Sequence, residues 1–248
     1  MSQEKKPHII DAVVTLHVPQ PKARVVSLVP SLTETMFDLG LGSLIVGRTH
    51  FCVHPVNEVS TVPSVGGTKK IKMDRLIEVG ATHVLLNIDE NPKDLANEIS
   101  AKGIKSVVTH PIKPEDNLSL YRLIGGLFGA DKEAKRMCLQ FEAALADLKS
   151  AAIELPERRV LYLIWKQPWM TVSTNTYISR MLALVNWNNV GGAVANRYPE
   201  VDLNSGLAEA DLVLLPSEPF AFGQADRDAL LAMEPKTEVH LIDGEMTS

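Results

Sequence analysis

The chain has 248 residues, 45% of them hydrophobic and 22% charged, a balance typical of a folded globular protein. Its 25 Lys and Arg residues stand against 30 Asp and Glu residues, and the net charge of −5 argues against a nucleic-acid partner. Two cysteines give no disulfide framework, and no stretch is apolar enough to predict insertion into a membrane.

The first 23 residues contain no apolar segment of the length that a signal peptide needs. As written, the sequence therefore predicts a cytoplasmic protein, and an export signal that is trimmed or missing from the sequence is the alternative. Residues 9–18, IIDAVVTLHV, predict one edge strand.

The next hundred residues alternate between predicted strands and helices. Residues 24–30, RVVSLVP, form a continuous apolar run that suits a strand covered on both faces. Ser31 and Glu34 have the spacing of a capping box, which predicts a helix through Leu39. The remaining predicted strands are 44–50, 82–87 and 104–110, and the remaining helices are 73–80 and 94–103. This alternation predicts a parallel sheet.

Residues 131–155 predict one long helix, because their apolar residues recur at helical spacing and charged residues fill the other face. Asp131 can cap its start, and Pro156 ends it. About 24 residues at ~1.5 Å each give a rod of ~36 Å.

The same alternation returns after the long helix, with predicted strands at 159–165, 211–216 and 238–243 and helices at 176–185 and 225–233. Two ungapped matches link the halves of the chain. Residues 36–47 align on 181–192, and residues 81–87 align on 210–216, in the same order on either side of the long helix.

The predicted fold is therefore α/β, with two similar Rossmann-like lobes whose mainly parallel sheets are joined by one long rigid helix. The predicted domains are an N-terminal lobe at 1–113, a linking region at 114–156 and a C-terminal lobe at 157–248. Two such lobes predict a ligand site in the crevice at the carboxyl ends of their strands.

The loops expected at those strand ends combine aromatic side chains with amides, hydroxyls and prolines, which suits a large, flat, partly polar ligand. Trp165 and Trp169 stand out as a possible ligand wall, and a packing role at the base of a lobe is the alternative.

His50, Cys52 and His54 alternate, so an extended segment would place all three side chains on one side. Nitrogen and sulfur ligands of this kind suit zinc or another transition metal. The spacing matches no common structural zinc pattern, and a packed loop explains it equally well. A single axial ligand from His50 or His54 to the metal of a bound tetrapyrrole is a narrower hypothesis.

Signatures of enzymes are missing from the sequence. It has no G-x-S-x-G elbow, no P-loop and no G-x-G-x-x-G after a strand. The acids Asp89, Glu90 and Glu218 fall in strand-end loops, where solvated charges are more common than a catalytic pair. We therefore expect a protein that is not an enzyme and needs no cofactor.

Four segments together resemble the substrate-binding proteins of ABC importers for iron siderophores and cobalamin, the helical-backbone metal receptors. They are RVVSLVPSLTETMFDLGLGSLIVGRTHFCVHP, SVGGTKKIKMDRLIEVGATHVLLN, VLYLIWKQPWMTVSTNTYISRMLALVNWNNV and ADLVLLPSEPF. The likeness is greatest to the cobalamin-binding subgroup and covers the chain from about Arg24 to its end.

This resemblance implies a periplasmic protein, monomeric, that binds a cobalamin-like corrinoid, or less readily haem or a ferric siderophore, and delivers it to an ABC permease. The implied ligand contacts are Pro30, Ser31, His50, Phe51, Cys52, Asn87, Trp165, Trp169, Tyr198, Glu218 and Phe220. For docking on the permease it implies one acid per lobe. Asp74 matches the first, whereas Asn204 stands near the second, so Glu200 or Asp202 would substitute.

The sequence departs from the family in two further respects: it stops at Ser248, before the final helix of its relatives, and it shows no export signal. The C-terminal lobe is therefore expected to be truncated. The alternative function is a cytoplasmic metal or cofactor carrier that uses His50, Cys52 and His54 on the same scaffold.

Overall fold

The computed structural model describes residues 9–10, 19–192 and 195–247. In this part of the chain the residues separate into two compact units. Unit 1 comprises the chain up to Pro111 together with Glu115–Phe141, and unit 2 comprises Ile112–Pro114 together with the chain from Glu142 onward.

Unit 1 is built on a parallel sheet flanked by helices. Its strands are β1 (Ile9–Ile10), β2 (Val25–Ser27), β3 (Ile45–Thr49), β4 (Ser64–Gly66), β5 (His83–Asn87) and β6 (Lys105–Thr109). Its helices are α1 (Pro30–Asp38), α2 (Val56–Val59), α3 (Met73–Glu78), α4 (Leu95–Ala101) and α5 (Asn117–Phe128), with a 3-10 turn at Gly42–Leu44. A second 3-10 turn, Pro114–Asp116, contains residues of both units. The strand order is β1-β6-β5-β2-β3-β4, and every neighbouring pair is parallel.

Helix α6 (Asp131–Ala152) follows α5, and the division between the units falls inside it, between Phe141 and Glu142. The helix ends three residues before the predicted Leu155, which is exposed. Ala134, Cys138 and Ala152 are its buried residues. The boundaries of the predicted linking region, 114–156, stay a prediction.

Unit 2 contains a second sheet. Its strands are β7 (Arg158–Trp165), β8 (Met170–Thr171), β9 (Trp187–Asn189), β10 (Leu212–Pro216) and β11 (Glu238–Ile242). Its helices are α7 (Tyr177–Ala183), α8 (Leu203–Glu209) and α9 (Gln224–Met233), with a 3-10 turn at Gly244–Met246. The order is β11-β10-β7, with β9 parallel to the first half of β7 and β8 antiparallel to its last residues.

Each sheet is buried on both faces, which explains the continuous apolar runs in its strands. In β2, Val25 packs into one core cluster and its neighbour Val26 into another. In β7, Leu161 and Tyr162 divide in the same way between two clusters of unit 2. Alternate side chains of a strand point to opposite faces, so both faces need a helical cover.

The predicted internal repeat is visible in the topology, because β11-β10-β7-β9 repeats the order β6-β5-β2-β3. The match of 81–87 with 210–216 places the start of β5 and the start of β10 at the same aligned position. In the other match, α1 and α7 end at aligned positions, but β9 starts three positions before β3. The 3-10 turn Gly42–Leu44 occupies the extra residues in unit 1.

The structure therefore confirms an α/β fold with a mainly parallel sheet in each half. Of the predicted N-terminal edge strand, Ile9–Ile10 pair in parallel with β6, and residues 11–18 lie outside the described residues. None of the described helices is long and apolar enough to cross a membrane.

Candidate functional site

The loop after β3 is a turn in the structure. The Cys52 amide donates a hydrogen bond to the Thr49 carbonyl at 3.2 Å, and the His50 amide donates to the Gly66 carbonyl at 2.9 Å. Cys52 is fully buried, with its Sγ 3.1 Å from Thr49 Oγ1, while Phe51 is 53% exposed. The premise that His50, Cys52 and His54 lie on one side of an extended segment is therefore wrong.

The predicted metal site has no support in this geometry. A turn sends the Cys52 thiol into the core, whereas His50 is exposed and His54 is half-buried. Across the described ranges, no group of three His, Cys, Asp or Glu side chains is placed to hold a metal ion. His50 and Phe51 instead form a ring pair, with their centroids 4.2 Å apart.

The His50 ring packs closely against the backbone of Gly67. A Cβ atom at Gly67 would lie 2.9 Å from His50 Cε1, closer than real side chains approach one another. Gly67 therefore makes room for the imidazole at the carboxyl end of the sheet. An imidazole and an exposed phenyl ring in this position could contact a flat ligand.

Asn87 lies at the end of β5, as predicted, but its side chain is used inside the loop. Its Oδ1 accepts a hydrogen bond from the backbone amide of Asp89 at 2.8 Å. The backbone amide of Asn87 donates to Asn91 Oδ1 at 2.9 Å. Ile88 is 57% exposed in the same turn. Ile88 is thus an exposed apolar side chain in this loop, and it is not among the contacts predicted from the sequence.

A polar network braces the loops of unit 1. Asn91 Nδ2 donates to the Thr68 carbonyl and Lys69 Nζ donates to the Asp89 carbonyl, each at 2.9 Å. His110 Nε2 lies 3.5 Å from Asp89 Oδ2. The two hydrogen bonds tie together the loops that follow β4 and β5, so the surface around Ile88 is held in place.

Pro30 and Ser31 open α1 directly after β2. Pro30 occupies the first helical position, where its missing N–H costs nothing, and Ser31 is exposed. The Ser31 carbonyl accepts a hydrogen bond from Thr35 Oγ1 at 2.8 Å. Both residues thus lie at the carboxyl end of the sheet, as the resemblance implies.

The carboxyl end of the sheet in unit 2 carries an aromatic cluster, defined here as Trp165, Trp169, Phe220 and Phe222. The Trp165 and Phe220 rings meet edge to face, with their centroids 5.5 Å apart. Phe220 and Phe222 are 4.7 Å apart, and Trp169 lies parallel to Phe222 at 6.1 Å. Trp165 is 42% exposed, whereas Phe222 is buried and contacts Phe220 and Trp169.

The fold explains why these four rings meet. Trp165 ends β7, and Trp169 closes the turn that leads into β8. Phe220 and Phe222 belong to the loop that follows the neighbouring strand β10. The structure brings together three predicted contacts, Trp165, Trp169 and Phe220. Phe222 is not among the predicted contacts, although its place two residues after Phe220 in a strand-end loop was a usable signal.

Tyr198 and Glu218 are placed differently. Tyr198 is half-buried and packs on the core cluster of Val160 and Tyr162, and Arg197 lies 6.0 Å from the centre of its ring. None of the ring contacts found among the described residues joins Tyr198 to the aromatic cluster. Glu218 is exposed on the loop after β10, where Gly244 leaves space for its side chain.

The three acids expected to dock on a permease have distinct environments. Asp74 is exposed in the first turn of α3, and Glu200 is exposed just before α8. Asp202 caps α8, because its Oδ1 accepts from the Ser205 amide at 2.8 Å, and this bond lowers the Asp202 pKa. Helices α3 and α8 occupy equivalent places in the repeat, each directly before the strands β5 and β10.

A model of the family described as periplasmic binding protein matches residues 25–205. Among curated proteins, a vitamin B12-binding protein of Vibrio parahaemolyticus is 22% identical over 198 residues, which span 80% of this chain and 72% of that protein. One of Photorhabdus laumondii is 21% identical over 178 residues, 72% of this chain and 64% of that protein.

Solved structures share the fold. The periplasmic vitamin B12 binding protein BtuF of Vibrio cholerae superposes with a TM-score of 0.79 at 15% identity and covers 92% of this chain and 90% of its own. The periplasmic heme-binding protein HutB of Vibrio cholerae gives a TM-score of 0.76 at 20% identity, with 91% of each chain covered. The family and these relatives are binding proteins and not enzymes.

Proposed function

The chain belongs to the periplasmic binding protein family, and on that premise we propose that it binds a metal chelate and delivers it to an ABC importer. The first candidate ligand is a cobalamin-like corrinoid, and haem or a ferric siderophore follows. The work of the protein would then be done in the periplasm. Vitamin B12-binding and heme-binding proteins among its relatives support this ligand class.

The aromatic cluster is the observation that carries the proposal. Flat chelates with a conjugated ring system gain from stacking on indole and phenyl rings, and such pairs contribute ~0.5–1.5 kcal/mol beyond burial of their area. Trp165 presents an exposed ring that Phe220 fixes from the side. Phe222 and Trp169 stack beneath, so the surface is built before a ligand arrives.

Unit 1 supplies a second candidate surface, formed by Phe51, His50 and Ile88. Phe51 and Ile88 are each more than half exposed. The polar network holds the loop of Ile88, and the bond from the His50 amide to the Gly66 carbonyl holds the loop of Phe51. The His50 imidazole is the group in this surface that could serve as an axial ligand to a chelated metal. That one ligand contacts both units, in a crevice between two lobes, stays a prediction.

A titration tests the proposal. We expect cyanocobalamin, haemin or a ferric hydroxamate siderophore to quench the tryptophan fluorescence with saturation at one equivalent and a dissociation constant of about 1 µM or below, as befits a ligand with ~8 kcal/mol of binding free energy. N-acetyltryptophanamide, titrated in parallel, corrects for the light that the coloured chelates absorb. Absence of saturable quenching by all three chelates would contradict the proposal.

Delivery to a permease is proposed through Asp74 in unit 1 and Glu200 in unit 2. Both acids are exposed, and the helices next to them are equivalent in the repeat. Asp202 is the poorer candidate because its carboxylate already caps α8.

A further inference from the structure

An ion pair lies beside the aromatic cluster. Lys166 follows Trp165 at the end of β7, and Asp226 lies in the first turn of α9. The Lys166 Nζ to Asp226 Oδ1 distance is 2.5 Å, and the two side chains are only 33% and 15% exposed. Partial burial weakens the screening by water, so this pair holds its geometry better than an ion pair on the open surface.

Asp226 is fixed by a second contact. Its Oδ2 accepts a hydrogen bond from the Gly223 amide at 3.0 Å, at the start of α9. The bond from the Lys166 ammonium, followed by the bond from the Gly223 amide, lowers the pKa of Asp226 below its ordinary value. The carboxylate is therefore charged at neutral pH, and its position relative to the loop of Phe222 is set by the backbone.

The ammonium that this carboxylate holds lies against Trp169. Lys166 Nζ is 5.6 Å from the centre of the indole, within the range of a cation–π interaction. The same indole lies parallel to Phe222, with an angle of 2° between the ring planes. The turn that carries Trp169 is thus joined to the loop before α9 by one ring contact and one ion pair.

We propose that Lys166 and Asp226 are positioning residues, which together fix the Trp169 ring on Phe222 and so keep the aromatic cluster in shape for a ligand. The ligand-binding part of this inference rests on the function proposed above. The positioning part concerns the ligand-free protein and stands by itself.

A direct contact between Lys166 and an anionic group of the ligand is the competing role for this cation. The structure favours positioning, because the ammonium is already neutralised by Asp226 and would have to give up a partly buried ion pair to meet a ligand. A positioning role acts on any flat chelate, whereas a direct contact acts on chelates with free carboxylates.

The chain offers a matched control for this pair. Arg159 Nη2 and Asp211 Oδ1 lie 2.7 Å apart at the opposite end of β7, far along the strand from Trp165. Asp211→Asn removes an ion pair from the same sheet without touching the aromatic cluster. Lys166→Met, Asp226→Asn and Lys166→Arg are compared with it.

The first readout uses the ligand-free protein. Lys166→Met and Asp226→Asn are expected to reduce the near-ultraviolet circular dichroism of the tryptophans and to raise the acrylamide quenching constant about twofold, because loss of the cation–π and ion-pair contacts frees the indole. Lys166→Arg should restore the spectrum, and Asp211→Asn should match the wild type. A Lys166→Met protein that matches Asp211→Asn in both measurements would overturn the inference.

The second readout is the affinity for whichever of cyanocobalamin, haemin or the ferric hydroxamate binds the wild type. We expect each single variant to weaken binding about fivefold, and the double variant to be no weaker, because both substitutions break one coupled pair. A double variant about 25-fold weaker would mean independent roles and overturn the inference. If no chelate binds the wild type, the proposed function fails, while the spectra of the ligand-free protein still decide the positioning role.

Discussion

At the scale of single residues, the imidazole of His83, at the start of β5, has a strongly lowered pKa. It is 2% exposed, its ring packs edge to face on Phe128, and its Nδ1 lies 2.9 Å from Thr82 Oγ1. Among the described residues its Nε2 has no hydrogen-bond partner. Burial, with a smaller contribution from the charge of Lys105, lowers the pKa of His83 to about 4.

This pKa predicts a pH dependence of stability. An unfolded histidine has a pKa near 6.5, so His83 of the unfolded chain binds a proton below about pH 6.5. In the folded protein His83 binds that proton only near pH 4, so acid favours the unfolded state. The contribution of neutral His83 to the free energy of unfolding is therefore fully present above pH 6.5 and lost as the pH falls toward 4. The urea midpoint of the wild type should drop between pH 7 and pH 5.

Two variants separate this effect from general acid sensitivity. His83→Leu keeps an apolar group in the same core position and should show a clearly smaller drop of the urea midpoint than the wild type. His240→Leu, at an exposed histidine, should keep the full drop. An equal drop in the wild type and in His83→Leu would show that another group is responsible.

Several contacts of the candidate site could be predicted from single residues. Trp165, Trp169 and Phe220 follow strands that read clearly from their apolar runs, so their meeting at one sheet edge followed from parallel pairing. The family resemblance implied Asn87 as a further contact, but its side-chain oxygen accepts a hydrogen bond inside the turn, where Ile88 is exposed. Which side chain a turn turns outward depends on hydrogen bonds that strand periodicity does not encode.

At the scale of elements, the end of α6 depends on a residue far along the chain. Asn186 Nδ2 donates to the carbonyls of Ala152 and Leu155, at 2.9 and 3.0 Å. The Ala152 carbonyl also accepts a hydrogen bond from the Leu155 amide at 3.1 Å, so the Asn186 side chain joins both ends of the turn that follows the helix. Asn186 itself has a φ of 62°, in the left-handed region that asparagine tolerates.

Two substitutions at Asn186 separate the effect of its side-chain hydrogen bonds from the effect of its left-handed backbone. Asn186→Gly keeps the left-handed backbone and removes the side-chain bonds, so we expect a loss of ~1–2 kcal/mol in the free energy of unfolding. Asn186→Ala adds strain of ~1–2 kcal/mol at positive φ and should lose ~2–4 kcal/mol in all. Urea unfolding measures both. Equal stabilities of the alanine and glycine variants would refute the backbone argument.

Helices α5 and α8 did not emerge from the sequence, and the reason lies in buried glycines. Gly125 is in the middle of α5, where a Cβ would lie 2.6 Å from the Cβ of Ala134 in α6. In α8, a Cβ at Gly206 would lie 3.1 Å from the Leu161 side chain. Glycine lowers the helix propensity of an isolated segment, but here it allows close packing that only the folded chain reveals.

The long helix and the main strands were predictable because each repeats its pattern over enough residues. Short elements were not. Strands β8 and β9 have two and three residues, and each is a strand only because it pairs with β7. The metal hypothesis lacks support for a similar reason, since it needed His50, Cys52 and His54 in an extended segment, and the chain turns between Thr49 and Cys52.

At the scale of the whole molecule, the internal repeat places the two proposed docking acids next to equivalent helices. Helices α3 and α8 precede corresponding strands, and each has an exposed acid close to its start. A partner that consists of two similar halves could bind the two helices through equivalent contacts.

Uptake of the chelate by the native host tests this docking. The double variant Asp74→Ala/Glu200→Ala should lower uptake at least about tenfold, by the loss of two charged contacts, while the dissociation constant of the chelate stays unchanged. Glu78→Ala is the control, because Glu78 is exposed on α3 and pairs with Arg75 on the same helix. Normal uptake with the double variant would reject these acids as docking residues.

The central claim, that the aromatic cluster holds a metal chelate, is tested most directly by the affinities of two tryptophan variants. Trp165 stands at the carboxyl end of β7, and Trp187 pairs with Arg158 at the other end of the same strand. Loss of a central aromatic contact costs ~2 kcal/mol or more, so Trp165→Ala should bind the chelate at least about 25-fold more weakly than the wild type. Trp187→Phe should bind within about twofold of the wild type. Equal affinities of the two variants would contradict the account.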